Sequence, residues 1–388
     1  MKLCGRRIHI AGSAARDADE AKLIYAHSLV TGLTNSFAAE GATFVIPFGK
    51  EPRLKDRTEG PSIIFDWSVV EAVWIALKQG RVRPSGPNGR LIATISTSRT
   101  DEHIPEARRT IYDDLRSAGA IEMKFLEPGW TAGALQRQGL AQFGEVLIAL
   151  SGGQGVEHLA IEYSTKGKPV IPLDLELGAS SHDGSGGAAR LFGRALSDHK
   201  LFFKVTNGHA AIDLLDRTRT RDGTVSIATV TAAVTSLLHA LRPPNVFYVR
   251  MLNSKPLDYP AVENFFRTTV DTLVQELGYE GLEVGLGENE FAWMNQAIFD
   301  SLHHSSVVVV DITGLRSNCF VELGYALGNE QKVIFTAKEG TSFPFDVFAL
   351  EAFLWKDDED PQVQLSRFRT HWERNINMPK LVRPNQAK

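Results

Sequence analysis

"VVVVDITGLRSNCFVELGYALG" occupies Val307 to Gly328, and it reads as a strand, a short polar loop and a helix. Four consecutive valines, Val307 to Val310, suit a central strand buried on both faces of a parallel sheet. Asp311 and Thr313 then emerge at its C-terminal end, where open α/β sheets bind their ligands. Asn318 and Glu322 are four apart, so a helix begun by Asn318 puts both side chains on one face. Gly324 permits close backbone packing, and Tyr325 adds an aromatic ring nearby. Spacing alone leaves three readings open: capping of the helix, binding of a hydroxyl-bearing ligand, or catalysis. A carboxylate placed here can accept hydrogen bonds from ribose hydroxyls. It can also attack, or electrostatically stabilise, the oxocarbenium-like carbon that forms as a glycosidic bond breaks.

Outward from this stretch the same alternation recurs. After "RPPN" at 242–245, the second half restarts with the strand "NVFYVRML" and the helix "YPAVENFFRTTVDTLVQELG". A short strand "LEVGLG", the helix "EFAWMNQAIFDSLHHS", the valine strand and the strand "KVIFTA" complete it. The acidic run "KDDEDP" at 356–361 reads as a solvated loop. In the first half, "RRIHIAGSA" runs from a strand into a Gly-Ser turn. A helix follows over "DEAKLIYAHSLVTGLTNSFAAEG", with Ile24, Leu29, Leu33 and Phe37 near one face. Strands at "ATFVIPFG", "RLIATIST", "EMKFLEP" and "EVLIALS" alternate with helices, and "RPSGPNG" marks a turn. The pattern predicts an α/β protein of two Rossmann-like domains, each with a parallel, doubly wound sheet. The expected division is 1–205, a helical linker over 206–243, and 244–388. The Gly/Ser-rich stretch "LGASSHDGSGGAARLFG" reads as a loop over a sheet edge or ligand site.

Length and composition narrow the function classes. A chain of 388 residues with 43% hydrophobic and 23% charged residues is an ordinary globular composition, with two domains the natural prior. A net charge of −4 carries no nucleic-acid or membrane signature. No apolar run approaches the roughly 20 residues that span a bilayer. The basic start "MKLCGRRIHI" is followed by too short an apolar stretch for a signal peptide. Cys4 and Cys319 fit no metal or disulfide spacing, which points to a reducing, cytoplasmic setting. His303 and His304 are adjacent on a helix and point about 100° apart, so no shared metal site is expected.

The first half offers two more turns with chemistry. In "LIALSGGQGVEHLAIEY", Gly152, Gly153, Gln154 and Gly155 lie between strand and helix, where backbone N–H groups and a helix N-terminus favour an anion. Glycine also serves any tight turn, so a purely structural reading stands beside this one. "IAGSAARDAD" supplies Gly12, Ser13 and Arg16 at another strand end, suited to a second phosphate or a ribose.

These motifs carry two resemblances. "DITGLRSNCFVELGYALG", with "KVIFTAKEGTSFPFDVFALEAFLW", resembles the nucleoside 2-deoxyribosyltransferase-like superfamily and its TIR-like nucleotide-binding relatives over roughly 245–356. That likeness implies Glu322 as nucleophile on the C1′ of a nucleoside or nucleotide, with Asp311 and Asn318 placing sugar and base. Where TIR-like members carry Asn-Pro-Asn, this chain has Arg316, Ser317 and Asn318, and Arg316 is either a phosphate contact or a solvated loop charge. "GSA", "SGGQGVEHLAIE" and "GKPVIPLDLELGAS" resemble the SLOG superfamily over roughly 6–205. Its enzymatic members carry Pro-Gly-Gly-x-Gly-Thr-x-x-Glu, whereas this chain has Ser151, Val156 and Leu159 at the Pro, Thr and Glu positions. Glu157 and Glu162 are out of register, and an apolar side chain cannot stabilise an oxocarbenium charge.

Together the resemblances imply a sensor for a nucleotide-derived signal coupled to an N-glycosidase. Its substrate would be NAD or another nucleotide, with no metal and no cofactor required. Homo-oligomer formation and a place in anti-phage defence are implied by association with related families alone. The rival readings are a non-catalytic nucleotide-binding adaptor, a nucleoside deoxyribosyltransferase, and a phosphoribohydrolase in the first half, which Leu159 disfavours.

Overall fold

Parallel neighbouring strands need a crossover of a dozen or more residues, usually a helix, between them, and that constraint organises both halves of this chain. The computed structural model describes residues 3–84, 91–97, 100–126, 132–178, 187–205, 208–219, 225–283, 291–329, 331–347 and 350–376. Among them the chain divides into two compact units, with the boundary between Arg242 and Pro243. Each unit is built on a sheet whose strand pairs are all parallel.

The first unit begins with β1 (Arg7–Ser13), α1 (Glu20–Ala39), β2 (Thr43–Val45), α2 (Asp66–Lys78) and β3 (Ile92–Thr97). It continues through α3 (Thr100–His103), α4 (Glu106–Ser117), β4 (Ile121–Leu126), α5 (Ala132–Phe143), β5 (Val146–Ser151), α6 (Gln154–Thr165) and β6 (Val170–Leu173). The helices α7 (Gly187–Ser197), α8 (Gly208–Asp216) and α9 (Ile227–Ala240) close it. The strand order is β4-β3-β2-β1-β5-β6. The chain therefore winds one way from β1 to β4 and the other way from β5, and the reversal lies between β1 and β5. Both strands run through the core, with Ile8, Ile10, Leu147, Ile148, Ala149 and Leu150 fully buried, and β1 also buries the polar Arg7 and His9.

Asp19 caps α1, its side chain accepting from the Lys22 amide at 2.9 Å. The helix buries Leu23, Ala26, Val30, Leu33 and Phe37, whereas Ile24 is exposed. The apolar stripe thus runs through Leu23 rather than Ile24, because Leu23 keeps the i, i+3, i+7 spacing with Ala26 and Val30. The stretch 206–243, read as a linker, contributes α8 and α9 to this unit. Val230, Val234 and Leu237 enter its core. Tyr25 Oη donates to the Val225 carbonyl at 2.9 Å, and His239 Nε2 meets Glu40 at 2.7 Å. In "GKPVIPL", Gly167 takes φ +67° just past α6, and the Lys168 ammonium donates to the carbonyls of Ala141, Gln142 and Gly144 at the end of α5. A lysine that satisfies three terminal carbonyls fits the negative end of the helix dipole.

The second unit runs β7 (Asn245–Val249), α10 (Tyr259–Phe265), α11 (Asp271–Glu276), β8 (Glu280–Leu282), α12 (Phe291–His304), β9 (Val307–Asp311), α13 (Ser317–Gly328), β10 (Lys332–Lys338), β11 (Ala352–Trp355) and α14 (Pro361–Asn375). A π-helical turn, Phe266–Val270, joins α10 to α11 in one continuous helix. The strand order is β11-β10-β9-β7-β8, the flavodoxin-like arrangement, with its reversal between β7 and β9. The acidic run at 356–361 leads into α14, where Asp360 caps the helix by accepting from Gln362 and Val363. No described helix is long and apolar enough to cross a membrane.

Of the Gly/Ser-rich stretch 177–193, residues 179–186 lie outside the described residues, as do 85–89 of the Pro/Gly turn and 284–287 of the "LEVGLG" segment. At the β1/β5 contact, a Cβ on Gly12 would fall 1.7 Å from the Leu150 carbonyl oxygen. Gly12→Ala must therefore push two central strands apart. It is expected to destabilise the first unit by at least about 2 kcal/mol, read as a lowered urea midpoint.

Candidate active site

In the second unit the strand reversal opens at the C-terminal ends of β7 and β9, beside α13. The β9–α13 loop turns sharply: Gly314 and Leu315 take φ +75° and +49°. The Leu315 amide closes the turn on the Ile312 carbonyl at 2.9 Å. Leu315 is half-exposed and left-handed, a conformation that costs a non-glycine residue about 1–2 kcal/mol. The loop delivers the chain to Arg316, the N-cap residue of α13, which makes no side-chain capping bond. Neither Asp311 nor Asn318 caps this helix, so the capping reading does not account for them.

Asp311 lies in the interior of the sheet, 1% exposed. Its Oδ2 accepts from Thr336 Oγ1 on β10 and from Trp355 Nε1 on β11, both at 2.8 Å. Its Oδ1 accepts from the Thr313 amide at 3.0 Å. Burial pushes this carboxyl above its ordinary range, and the donors from Trp355, Thr313 and Thr336 oppose that shift. The resemblance implies a group that places sugar or base. The structure gives Asp311 three protein donors, which make it the anchor of the loop. Thr313 extends the anchor, its Oγ1 accepting from the Lys338 amide at 2.9 Å.

Asn318 is exposed on the first turn of α13, and Glu322 is half-buried one turn further on. The structure brings these two to one helix face, as their spacing requires. Among the described residues Glu322 makes no hydrogen bond or ion pair. Burial alone raises its pKa from 4.5 to about 7. Cys319, buried between them in sequence, has its thiol pushed up to about 12 by burial, then by the charges of Glu322 and Asp311. Gly324 faces open space, so it does not serve close packing. Tyr325 Oη meets His303 Nδ1 at 2.9 Å, and its ring lies edge-on to Phe299.

Arg250, the residue after β7, stands at the same reversal and was not singled out by motif reading. Its side chain is 8% exposed, held by Glu263 at 2.5 Å and Glu283 at 2.9 Å. Its guanidinium lies 5.1 Å from the Phe266 ring centroid. The available signal was an arginine closing an otherwise apolar strand.

In the first unit, the reversal brings the two nominated turns together. Ser13 pairs with Ser151, and Gly12 with Leu150. Ser151 and Gly152 take φ +47° and +81°, and Ser151 Oγ donates to the Gly178 carbonyl at 3.0 Å. Gly152 and Gly153 are buried, whereas Gln154 and Gly155 are exposed at the start of α6. A Cβ on Gly187 would meet the Gly152 carbonyl oxygen at 1.7 Å, so the start of α7 packs directly on the glycine loop. Gly12, Gly152 and Gly187 are thus required by backbone contacts or left-handed φ. Gly155 has neither constraint and leaves open space over the helix N-terminus. Arg16 is exposed, while the Ala14 and Ala15 amides already donate to Ile63 and Leu177.

Carboxylates are absent from the catalytic register here. Leu159 is buried in the core. Glu157 accepts from the Gly187 amide at 2.8 Å and pairs with Arg190, and Glu162 pairs with Lys166 at 2.9 Å.

Asp311→Asn would place an amide N–H₂ among three donors. The variant is expected to lose about 1–3 kcal/mol of stability, measured by chemical denaturation of the full chain.

Comparison with known proteins follows the same division. Residues 3–240 match the protein family described as ATP nucleosidase Cap17-like, N-terminal, and the match falls wholly within the first unit. Two curated Escherichia coli proteins named ATP nucleosidase Cap17, one from strain KTE188, are 25% identical over 264 residues, 66% of this chain and 50% of each relative. The chain spans about half the length of these relatives. Among solved structures, alpha-L-fucosidase isoenzyme 2 from Paenibacillus thiaminolyticus aligns over 89% of this chain and 65% of its own, at 12% identity and a TM-score of 0.20, too low to inform the fold.

Proposed function

The chain belongs to the ATP nucleosidase Cap17-like family, matched through its N-terminal part, and on that premise we propose that it hydrolyses the N-glycosidic bond of a nucleotide in its second unit. The observation that carries this reading is Glu322: a half-buried carboxyl with no protein partner among the described residues, at the strand reversal, raised to about 7. A carboxylate that burial disfavours in the resting site gains most when positive charge develops beside it. It therefore stabilises an oxocarbenium-like sugar more than it stabilises the ground state.

In the proposed reaction Glu322 attacks or stabilises C1′ at about 3–3.5 Å. The base departs with the electron pair of the glycosidic bond and water supplies the hydroxyl at C1′; the other water proton goes to a departing adenine, or to solvent where neutral nicotinamide leaves. Asn318, on the same helix face, is the hydrogen-bonding partner for sugar or base. Asp311 is a positioning residue that fixes the loop through Thr336 and Trp355. ATP is the first substrate to test, since the relatives are named for it, and NAD is the second. The first unit is assigned to a nucleotide-derived signal at its Gly12–Arg16 and Gly152–Gly155 turns, because Glu157 and Glu162 beside the glycine loop are paired and out of register. Coupling between signal and reaction would require about 1–3 kcal/mol of differential affinity. A homo-oligomeric state and a part in anti-phage defence belong to the same reading.

Chromatography of products after incubation with ATP, NAD and common nucleosides, with and without nucleotide signals, tests it. Wild type is expected to release a free base or nicotinamide, while Glu322→Gln loses turnover by at least about a hundredfold and still folds. Nucleotide binding without product in every condition would favour the adaptor reading.

The titration of Glu322 gives two further expectations. If the ionised form acts, kcat/KM rises about tenfold per pH unit below about 7 and levels off above it. Because the folded-state pKa lies above the ordinary 4.5, the neutral carboxyl favours folding below about 4.5, and this contribution is lost as pH rises through about 7. Glu322→Gln, neutral throughout, should therefore melt about 1–3 °C above wild type at pH 8 and close to it at acid pH, as read by calorimetry.

A further inference from the structure

The first unit holds a cavity of about 470 Å³ between α1, the loop after β2, α2 and the start of α4. None of its lining residues belongs to the Gly12–Arg16 turn or the glycine loop. The volume lies within the range of small-molecule sites. Its wall has no aliphatic or aromatic hydrocarbon side chain apart from Pro61.

Most charge on that wall is already paired. The Arg108 guanidinium holds Glu51 through Nε at 3.2 Å to both carboxylate oxygens and through Nη2 at 3.0 Å. Its Nη1 donates to Glu71 Oε2, also at 3.0 Å. Glu51 is nearly buried, whereas the Glu71 side chain is 44% exposed and keeps its second oxygen open. Arg53 also lines the cavity and makes no ion pair among the described residues.

The neutral groups are acceptors. His27 Nε2 faces the Ser62 carbonyl at 2.7 Å, so that nitrogen carries the hydrogen. His27 Nδ1 then accepts from Ser68 Oγ at 2.6 Å, and burial holds the ring below its ordinary pKa. Thr31 Oγ1 donates to the His27 carbonyl, and Ser62 Oγ to the Pro52 carbonyl. Three hydroxyls therefore give their protons to the protein; Ser62 Oγ also accepts from the Ile64 amide at 3.2 Å, which leaves Thr31 and Ser68 as the hydroxyl acceptors for a ligand.

A ligand suited to this wall carries an anion for Arg53 and several hydroxyl donors for Glu71, Thr31 and Ser68. It has little apolar surface, because a nucleobase would meet only Pro61 and the His27 ring. We propose that this cavity binds a phosphorylated pentose, with its phosphate on Arg53 and its vicinal hydroxyls on Glu71. Such an assignment is independent of the reaction in the second unit, and it is read by binding alone.

Calorimetric titration of the full chain with ribose 5-phosphate, ribose and inorganic phosphate tests it. Saturable binding of ribose 5-phosphate is expected, with each half-ligand weaker by at least about tenfold. Arg53→Gln and Glu71→Gln should each weaken it by about tenfold while keeping the wild-type melting midpoint, and Glu322→Gln should leave it unchanged. Arg53→Ala serves as a second test of the phosphate contact. Absence of ribose 5-phosphate binding would overturn the proposal. So would equal affinity in the folded Arg53 and Glu71 variants, or equal affinity for phosphate alone.

Discussion

A single buried carboxylate ties the second sheet to the loop that leads into α13. Asp311 sits at the last position of β9 and draws donors from β10, β11 and its own loop. A charge removed from water is tolerated only when several donors replace its hydration. The placement therefore fixes Thr336 and Trp355 as firmly as it fixes Asp311. Trp355 in turn stacks on Phe265 with centroids 4.8 Å apart and planes 7° apart, and Phe265 packs edge-on to Phe368 of α14. Polar anchor and aromatic core are one structure. The left-handed Gly314–Leu315 turn starts from this fixed point, and so do the register of α13 and the position of Glu322.

The two units use the same backbone device at their strand reversals. In each, a non-glycine residue adopts a left-handed φ beside a left-handed glycine: Ser151 with Gly152, and Leu315 with Gly314. Such residues persist only where surrounding contacts over-determine them. Ser151 is held by its bond to Gly178 and by the start of α7 on the glycine loop. At Gly314 a Cβ would meet Met251 Cε at 2.7 Å, so that turn is pressed against the residue two beyond β7. What differs is the side chain that the following helix presents. α6 sends Leu159 into the core and spends Glu157 on the α7 amide, whereas α13 leaves Glu322 half-buried and unpaired among the described residues.

Local pattern made much of this legible, and distance in the chain hid the rest. Four valines and repeated strand–helix alternation identify parallel α/β units because burial on both faces removes polar residues from a strand. The i, i+4 relation of Asn318 and Glu322 is a helix property and needs no tertiary knowledge. The role of Asp311 was not legible, since its partners Thr336 and Trp355 lie 25 and 44 residues away. Helix α9 looked like a linker for the same reason: its contacts with α1 join residues about two hundred positions apart, as Ser36 and Thr235 do. Helix α14 is a different case. Asp360 before Pro361 is a capping signal, but the acidic run around it reads equally well as solvated loop. Arg250 carries no motif, and only the strand order places it at the reversal.

The family match and the proposed reaction fall on different parts of the chain, and that separation constrains the proposed function. The matched segment ends at residue 240, before β7, and the named activity of the relatives belongs to proteins of which the aligned stretch covers only 50%. Inheriting a nucleosidase reaction at the strand reversal of the shared segment would require a carboxylate there that is free to meet a sugar. At its reversal the candidate register holds a core leucine, and the neighbouring glutamates are bound to an amide, an arginine and a lysine. Freeing Glu157 would expose the Gly187 amide at the point where α7 meets the glycine loop. The proposed function accordingly gives recognition to the shared unit, whose glycine turns bring backbone amides and a helix N-terminus together, and bond cleavage to the unit that holds Glu322, raised by burial to about 7.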